Sequence, residues 1–418
     1  MRPSSSSSEG AGAEPESGGG LFDALSRRGP VPDLVDDAAY LRAMLDTEAA
    51  LARAEARAGL IPAAHADAIA TACDAGRFDI GELGRAAAAA GNPVVPLVGR
   101  LRDAVRGAVA GSVHVGATSQ DILDTATMLV ARRALTAILA DLNTAGDATA
   151  QLASEHRQTV MAGRTLLQQA LPTTFGAKAA GWLSGLDDAA DLLISVRDRR
   201  LSVQLGGGAG TLAALHPHGP DVVSFLADEL GLTVPYMPWH TNRSRVGELA
   251  GALGVSAAAL AKPARDVTLL AQAEVAEVRE GVPGRGGSSA MPHKRNPVAA
   301  VATLANTAQA PGLVATILTA TAGHEHERAA GAWHAEWHPL RELFVSVGSA
   351  AAWLSDCLTH LKVDPARMRA NIGPDLEKLL DPADYLGSTG DIIAAALRRH
   401  APGLHQPPPR HTRREAQG

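Results

Sequence analysis

Apolar residues recur at helical spacing over long stretches, and this spacing constrains the fold more than any other feature. One stretch has an apolar residue at every seventh position: Val246, Leu253, Leu260 and Val267. Such spacing is typical of a long helix packed nearly parallel to its neighbours. Pro263 interrupts the stretch and is expected to kink the helix rather than end it. Because alternating β-branched residues are scarce, we predict an all-α protein.

Other stretches show the spacing of three and four residues that marks one face of a helix. The clearest consists of Ile122, Ala126, Leu129, Val130, Ala134, Ala137 and Ile138. Similar stretches predict helices over about 167–200, 294–322 and 340–361. A helix of about thirty residues is roughly 45 Å long, which is too long for a compact monomer. We therefore expect an elongated bundle that buries its alanine faces against other subunits.

The bulk composition fits a soluble cytoplasmic enzyme. The chain has 418 residues and a net charge of -6, so electrostatics give no reason to expect binding to nucleic acid or an anionic membrane. Two cysteines do not make a disulfide framework, and a reducing cytoplasm is the simpler setting. We find no apolar stretch of membrane-spanning length.

Residues 286–297, GGSSAMPHKRNP, join a flexible hydroxyl-rich loop to cationic and amide donors. The glycines and serines favour mobility. A mobile loop that ends in fixed donors suits the stabilisation of a negative charge that develops only during a reaction. The candidate catalytic residues are Ser288, Lys294 and Asn296, and the candidate substrate contacts are Ser289 and Met291. The alternative is a basic surface turn.

Residues 112–126, SVHVGATSQDILDTA, place polar side chains just before a predicted helix. Asp121 is expected to cap that helix, and the N–H groups of a helix start together with hydroxyls form an anion site. The candidate substrate-binding residues are His114, Thr118, Ser119 and Gln120. The alternative is a capped helix with a satisfied histidine, because such residues often only cap.

Residues 238–249 and 324–343 supply further donors for a polyanionic substrate. The candidates are His240, Asn242, Arg243 and Arg328, since an arginine binds a carboxylate bidentately. We exclude a zinc site at HEHE, residues 324–327, because alternate residues on a helix point to opposite sides and no further ligand set accompanies them. GGGAG at 206–210 lacks the spacing of a dinucleotide loop and predicts a turn between helices.

Together these segments resemble the fumarase/aspartase superfamily, whose members make or break a bond β to a carboxylate. The combination of TSQD, GRT followed by a residue other than histidine, and WHAEW resembles one branch, the bacterial 3-carboxy-cis,cis-muconate cycloisomerases of protocatechuate breakdown. The resemblance covers about residues 21–395. It implies a three-domain subunit with a central long-helix bundle, in a homotetramer whose active sites are shared between subunits. It also implies a small tricarboxylate substrate and neither a metal nor an organic cofactor.

Composition and resemblance together predict the domain boundaries. The two ends, residues 1–20 and 401–418, have the polar, glycine- or proline-rich composition of disordered tails. The N-terminal tail also lacks the apolar stretch of a signal peptide. Between the tails we expect an N-terminal helical domain over 21–111, the central bundle over 112–362 and a small helical domain over 363–400.

Residues 163–178, GRTLLQQALPTTFGAK, depart from the superfamily at one position. Most members have a histidine after GRT that handles the proton of the leaving group, whereas this chain has Leu166, which cannot titrate. Expulsion of an amine or hydroxide needs a proton, but a carboxylate, whose conjugate acid has a pKa of roughly 4, does not. Leu166 therefore favours lactone closure or opening over adenylosuccinate, argininosuccinate or fumarate chemistry. The alternative is that another histidine has taken over the role.

The resemblance also implies roles for the candidates. In the lactonising direction one carboxylate attacks the carbon β to another, and an aci-carboxylate forms. Lys294 and Asn296 would stabilise this intermediate, and Ser288 would donate a proton to the α carbon. Two other hypotheses remain open: a different superfamily lyase, adenylosuccinate lyase being the nearest by its loop, and a non-catalytic helical scaffold.

Overall fold

The computed structural model describes residues 20–373 and 382–401. These residues are mostly helical, with two short two-stranded antiparallel sheets. The predicted all-α class is confirmed. The predicted tails lie outside the described residues, apart from Gly20 and Ala401.

The helices and strands follow in chain order. The part before the first long helix contains α1 (Asp23–Ser26), α2 (Val31–Leu34), α3 (Asp37–Arg57), α4 (Ala63–Ala72), α5 (Ile80–Ala90), α6 (Val94–Val105) and α7 (Gly107–Ala110). The central part contains α8 (Ser119–Glu155), β1 (Val160–Thr165), β2 (Gln168–Thr174), α9 (Phe175–Arg199), α10 (Gly219–Leu230), α11 (Ser244–Leu270), β3 (Val278–Glu280), α12 (Val298–Thr307), α13 (Ala310–Ala322) and α14 (Ala332–Thr359). The chain continues with β4 (Leu361–Val363), α15 (Pro365–Ala370) and α16 (Thr389–His400).

Four long helices, α8, α9, α11 and α14, form the central bundle. Helix α8 has 37 residues and is therefore about 55 Å long. It packs against α9 and α14, and α11 packs against the same two helices. The apolar residues predicted at seven-residue spacing in α11 are all 1% exposed or less, and the helix continues through Pro263. The predicted long helix is confirmed, and Pro263 does not end it.

Two predicted helices are wrong in their bounds. The one expected over 167–200 begins only after β1 and β2, which pair as an antiparallel hairpin. The Thr174 side chain caps α9 by accepting a hydrogen bond from the Ala177 N–H at 3.0 Å. Periodicity alone does not distinguish a short apolar strand from a helical segment, which explains this error. The helix expected over 294–322 is two helices, α12 and α13.

The tip of the β1–β2 hairpin is strained and exposed. Leu166 and Leu167 have φ values of 51° and 64°, a left-handed conformation that costs a non-glycine residue about 1 kcal/mol or more. Leu166 is 97% exposed, so no contact within the subunit offsets this cost. The strand just before this tip is held firmly, since the Arg164 guanidinium binds both oxygens of the buried Glu277 carboxylate at 2.9 and 2.6 Å.

Helices α12 and α13 present an apolar face to solvent. Together they span Val298–Ala322, which by length and composition alone is apolar enough to cross a membrane, contrary to the sequence expectation. The chain divides there into two helices, which pack against α11 and α14. Only 39% of the most apolar part of Val298–Ala322 is buried in the subunit. Val301 and Leu318 are about half exposed. This face is therefore free for contact with another protein surface.

Candidate functional site

Asp121 organises the start of α8. The cap of this helix is Thr118 rather than Asp121, which occupies the third helical position and accepts a hydrogen bond from the Thr118 N–H at 2.9 Å. The same carboxylate accepts a hydrogen bond from the Gly207 N–H at 2.9 Å and lies 2.6 Å from Nε2 of His240. The cap predicted at Asp121 is thus one half of a capping box that joins three segments of the chain.

His240 is buried between the start of α8 and the glycine segment at 206–210. Because the Asp121 carboxylate only accepts hydrogen bonds, it holds the proton on Nε2 and leaves Nδ1 as the second nitrogen. Gly206 must be a glycine, since a Cβ there would lie 2.7 Å from Cε1 of His240. The turn predicted at 206–210 is confirmed, and its small residues allow the backbone to approach the imidazole.

Arg328 lies against the same glycine segment. Its guanidinium donates to the Gly207 carbonyl at 2.6 Å and to Oε1 of Gln120 at 3.3 Å. The amide of Gln120 donates in turn to Asp124 at 3.1 Å and to the His240 carbonyl at 2.8 Å. Gln120 is therefore buried and engaged at both ends of its side chain, so it supports Arg328 and His240 instead of facing a ligand.

A buried ion cluster lies one helical turn beyond Asp121. Arg243 donates to Asp124 at 2.6 Å and to Glu336 at 2.6 Å, and all three side chains are 3% exposed. The indole N–H of Trp333 donates to the same Asp124 carboxylate at 3.0 Å. Burial disfavours the charge on Arg243, but Asp124 and Glu336 outweigh it and raise the pKa of the guanidinium. Arg243, a candidate substrate donor by sequence, is placed in the interior, with its guanidinium nitrogens engaged by the two carboxylates.

The other candidates of this region lie nearer the surface. Thr118 and Ser119 are half-buried at the N-terminus of α8, and Asn242 is exposed just before α11. His114 precedes the helix, and its Nδ1 lies 2.6 Å from Oε1 of Glu48. The structure therefore brings His240, Arg328 and the candidates from α8 to one end of the bundle, with His114 beside them.

The loop at 286–297 is largely exposed, including Ser289, Met291 and Lys294. The Ser288 hydroxyl oxygen accepts hydrogen bonds from the N–H groups of Ala290 at 3.4 Å and Met291 at 3.2 Å. The loop conformation thus directs two N–H donors at this oxygen, and such donors stabilise an oxyanion.

Asn296 closes the neck of this loop. Its backbone N–H and its side-chain amide both donate to the Gly286 carbonyl, at 2.8 and 3.1 Å. Gly286 has a φ of 80°, and a Cβ there would lie 2.2 Å from the Asn296 carbonyl oxygen. One side-chain N–H of Asn296 is therefore used to hold the loop, and the amide has a second N–H for a ligand.

The loop and the start of α8 belong to opposite ends of α14. Arg285, at the base of the loop, binds Asp356 at 2.5 Å, whereas the cluster at the start of α8 binds Glu336. These two positions of α14 are about 30 Å apart at 1.5 Å per residue. The hairpin that carries Leu166 is anchored through Glu277, near the loop base. One subunit therefore does not bring the predicted catalytic and binding residues together.

The exclusion of a zinc site at residues 324–327 rests on the expectation that these residues lie on a helix, and that expectation is wrong. Residues 324–331 form a turn before α14, not a helix. His324 lies beside the ion cluster, and its Nε2 is 3.1 Å from Oε1 of Glu336. Within the described part of the chain, no group of three or more histidine, cysteine, aspartate or glutamate side chains is arranged to hold a metal ion.

Sequence reasoning missed three carboxylates of this region: Glu48, Asp124 and Glu336. Each is at most 3% exposed, and a buried carboxylate requires a partner. The signal was present, because Asp121 and Asp124 stand within an otherwise apolar face of α8. Nothing in the sequence identified Arg243 and His240 as their partners.

The fold and the arrangement of the candidate site are consistent with the known proteins that this chain resembles. The sequence pattern of the lyase family matches residues 31–312. The chain belongs to this lyase family, in the fumarase/aspartase superfamily, and the predicted resemblance is confirmed.

Individual relatives indicate which kinds of lyase the chain resembles. The chain is 50% identical over 341 residues to a 3-carboxy-cis,cis-muconate cycloisomerase of Bradyrhizobium diazoefficiens, which covers 81% of the chain and 75% of the relative. It is 47% identical over 365 residues to a nitrosuccinate lyase of Streptomyces davaonensis, which covers 84% and 77%. The crystal structure of a 3-carboxy-cis,cis-muconate lactonizing enzyme from Pseudomonas putida matches with a TM-score of 0.84 at 38% identity, over 91% of this chain and 98% of that one.

Arg243→Met should destabilise the protein by about 3–5 kcal/mol, because it leaves two buried carboxylates without a cation. Urea unfolding followed by circular dichroism measures this loss.

The control for this change is Arg245→Met. Arg245 is half-buried and donates one hydrogen bond, to the Arg200 carbonyl at 2.9 Å. Its replacement should cost roughly 1 kcal/mol. Equal losses for the two variants would contradict the assignment of Arg243 as the central cation of the cluster.

Proposed function

We propose that the protein is a 3-carboxy-cis,cis-muconate cycloisomerase, an intramolecular lyase that interconverts this tricarboxylate and 4-carboxymuconolactone. Its relatives with this name and the matching lactonizing enzyme support the proposal. The observation that carries it is a serine held by two N–H groups in the loop, combined with a leucine where most superfamily members have a titrating histidine. Such a site handles a proton on carbon but supplies none to the leaving group.

The reaction in the lactonising direction needs one proton. A substrate carboxylate forms a C–O bond to the carbon β to another carboxylate, and the π electrons of the alkene move onto that second carboxylate. The Lys294 ammonium and the free N–H of Asn296 stabilise the resulting aci-carboxylate. Ser288 then gives its proton to the α carbon, and the alkoxide that remains accepts hydrogen bonds from the loop N–H groups until it is reprotonated. In reverse the same alkoxide removes the proton.

The remaining candidates, apart from Gln120 and Arg243, bind the carboxylates. His114, Thr118 and Ser119 lie at the positive end of the α8 dipole, and His240 and Arg328 face the glycine turn beside it. Ser289 and Met291 belong to the loop, and Asn242 is exposed just before α11. Gln120 and Arg243 do not contact the substrate. They hold the other candidate residues in position through buried hydrogen bonds. No residue role in this site calls for a metal ion or an organic cofactor.

The active site is proposed to be shared within a homotetramer. The positions of α14 that bind the base of the loop and the ion cluster of α8 are about 30 Å apart in one subunit, so neither segment is a complete site. The strained leucines of the hairpin and the apolar face of α12 and α13 are exposed in the single subunit and suit burial against other copies. A symmetric assembly would place loop, hairpin and helix start from different chains side by side.

Nitrosuccinate cleavage is the second candidate, favoured by the relative of that name. Elimination from a nitro compound expels nitrite, an anion that leaves without a proton, so Leu166 fits this reaction as well. Adenylosuccinate cleavage fits less well, because its amine leaving group needs an acid that this position lacks. With both cysteines free, we place the enzyme in the cytoplasm.

Purified protein should consume 3-carboxy-cis,cis-muconate, with loss of the diene absorbance, in the presence of a chelator. Nitrosuccinate and adenylosuccinate serve as comparison substrates, with fumarate formation as the readout. No diene loss together with turnover of nitrosuccinate would replace the proposed function by the second candidate.

Ser288→Ala should lower kcat by a factor of hundreds or more, on the order expected when a positioned proton donor is removed. Ser289→Ala is the matched control in the same loop and should change KM more than kcat. Both proteins should keep the wild-type circular dichroism spectrum, because the loop is exposed. Near-normal kcat in Ser288→Ala would assign the proton transfer to another group.

Two inactive variants should complement each other if the site is shared. Co-refolded Ser288→Ala and Arg328→Ala subunits should regain about a quarter of wild-type activity, since random mixing completes that fraction of sites in a symmetric assembly. Ser288→Ala mixed with Lys294→Ala should regain none, because every loop then carries one defect. Equal activity in the two mixtures, or a monomeric mass, would rule out the shared site.

A further inference from the structure

Glu48 of α3 reaches the loop before α8 from inside the fold. Its Oε1 lies 2.6 Å from Nδ1 of His114, and the two side chains are 1% and 13% exposed. Oε2 of Glu48 is buried and has no hydrogen-bond partner among the described residues. The side-chain hydrogen bonding of this carboxylate within those residues is therefore with His114 alone.

The backbone is fitted to this contact. His114 has a φ of 63°, a left-handed conformation that persists in a non-glycine residue only where its surroundings enforce it, and that clusters at functional sites. The neighbouring residues supply that enforcement. The Val113 carbonyl accepts a hydrogen bond from Arg102 at 3.2 Å, and the Ser112 hydroxyl lies 2.8 Å from Nδ1 of His65.

The charges around His114 favour its cationic form. Burial acts to lower the pKa of the imidazole, but the Glu48 carboxylate raises it through both charge and hydrogen bond. Asp121, at the start of α8, adds to the increase, and Arg102 of α6 opposes it. The net result is a raised pKa for His114, so the ring carries its proton to higher pH than an ordinary histidine.

Two titratable groups near Glu48, Glu55 and Cys73, stay neutral. Glu55, two helical turns further along α3, is fully buried, and burial together with Glu48 raises its pKa to about 9. Cys73 beyond α4 has its pKa raised to about 12, chiefly by burial. Neither group therefore adds a negative charge beside the Glu48–His114 pair.

We propose that Glu48 is a positioning residue of the active site, which fixes His114 as an imidazolium with its second nitrogen, Nε2, directed at a substrate carboxylate. The inference rests on the proposed function, because it assumes an anionic substrate at the start of α8. It adds a residue from α3, outside every motif of the sequence, to the site. It also makes substrate affinity depend on pH through one buried ion pair.

The test is the pH dependence of KM and kcat for Glu48→Gln. A histidine with a raised pKa binds an anion below that pKa, and the affinity is lost as pH rises through it. Glutamine keeps the acceptor but removes the charge, so the alkaline rise in KM should move to lower pH. At mildly alkaline pH, KM should be about tenfold higher than in the wild type, the scale of one charged hydrogen bond, with kcat changed less.

Glu55→Gln is the matched control, since it replaces a neutral buried acid on the same helix by its near-isostere. Its KM profile should follow that of the wild type. Coincident profiles for Glu48→Gln, Glu55→Gln and the wild type would overturn the proposal. If Glu48→Gln does not fold, the wild-type profile decides, because a KM that stays constant across the range in which histidines titrate would equally overturn it.

A wild-type protein that fails to consume 3-carboxymuconate contradicts the proposed function, not this inference. The same profiles are then measured on nitrosuccinate, which is also an anion. A shift of the alkaline limb in Glu48→Gln on that substrate would support the role of Glu48. Its absence there would overturn the role.

Discussion

The ion cluster of Asp124, Arg243 and Glu336 is the interaction on which the arrangement of the subunit depends. It joins the second turns of α8 and α14 to the residue before α11, all inside the fold. A buried guanidinium is tolerated only if both carboxylates reach it in good geometry. Helices α8, α11 and α14 therefore have little freedom to shift relative to each other. Because Asp121 is one turn from Asp124, the same constraint fixes His240 and the glycine turn.

This rigidity contrasts with the loop that carries the serine. The α8 end is built from buried side chains whose hydrogen bonds are made before any substrate arrives. The loop, in contrast, is exposed and is held at its neck by Gly286 and Asn296, with Glu280 and Arg285 below. Catalysis by charge stabilisation needs fixed donors, while exclusion of water needs a part that moves. Under the proposed function, these two requirements are met by two segments that are anchored at opposite ends of one helix.

The sequence predicts the long helices well, because burial in a bundle imposes a spacing that single residues reveal, as at Val246 and Leu253. It predicts the loop at 286–297 for a different reason, since few other structures need serine, lysine and asparagine at that spacing. It fails at the hairpin, where apolar residues face away from their own subunit and so carry no helical or strand pattern. It also fails at Arg243 and Glu48, because the pattern shows that a charge is present but not whether its partner lies in solvent, in a ligand or across the core.

The position of Leu166 connects the chemistry to the assembly. In the subunit alone it is a strained and exposed apolar residue, a combination that costs free energy and gains no contact. Under the proposed assembly the same leucine is buried where other superfamily members present a titrating group, and its burial offsets the strain. A leaving group that needs no proton tolerates an apolar wall at this point, and an apolar wall excludes water from the intermediate. Leu166 favours a leaving group that needs no proton. Its burial on assembly would also favour association of the free subunits.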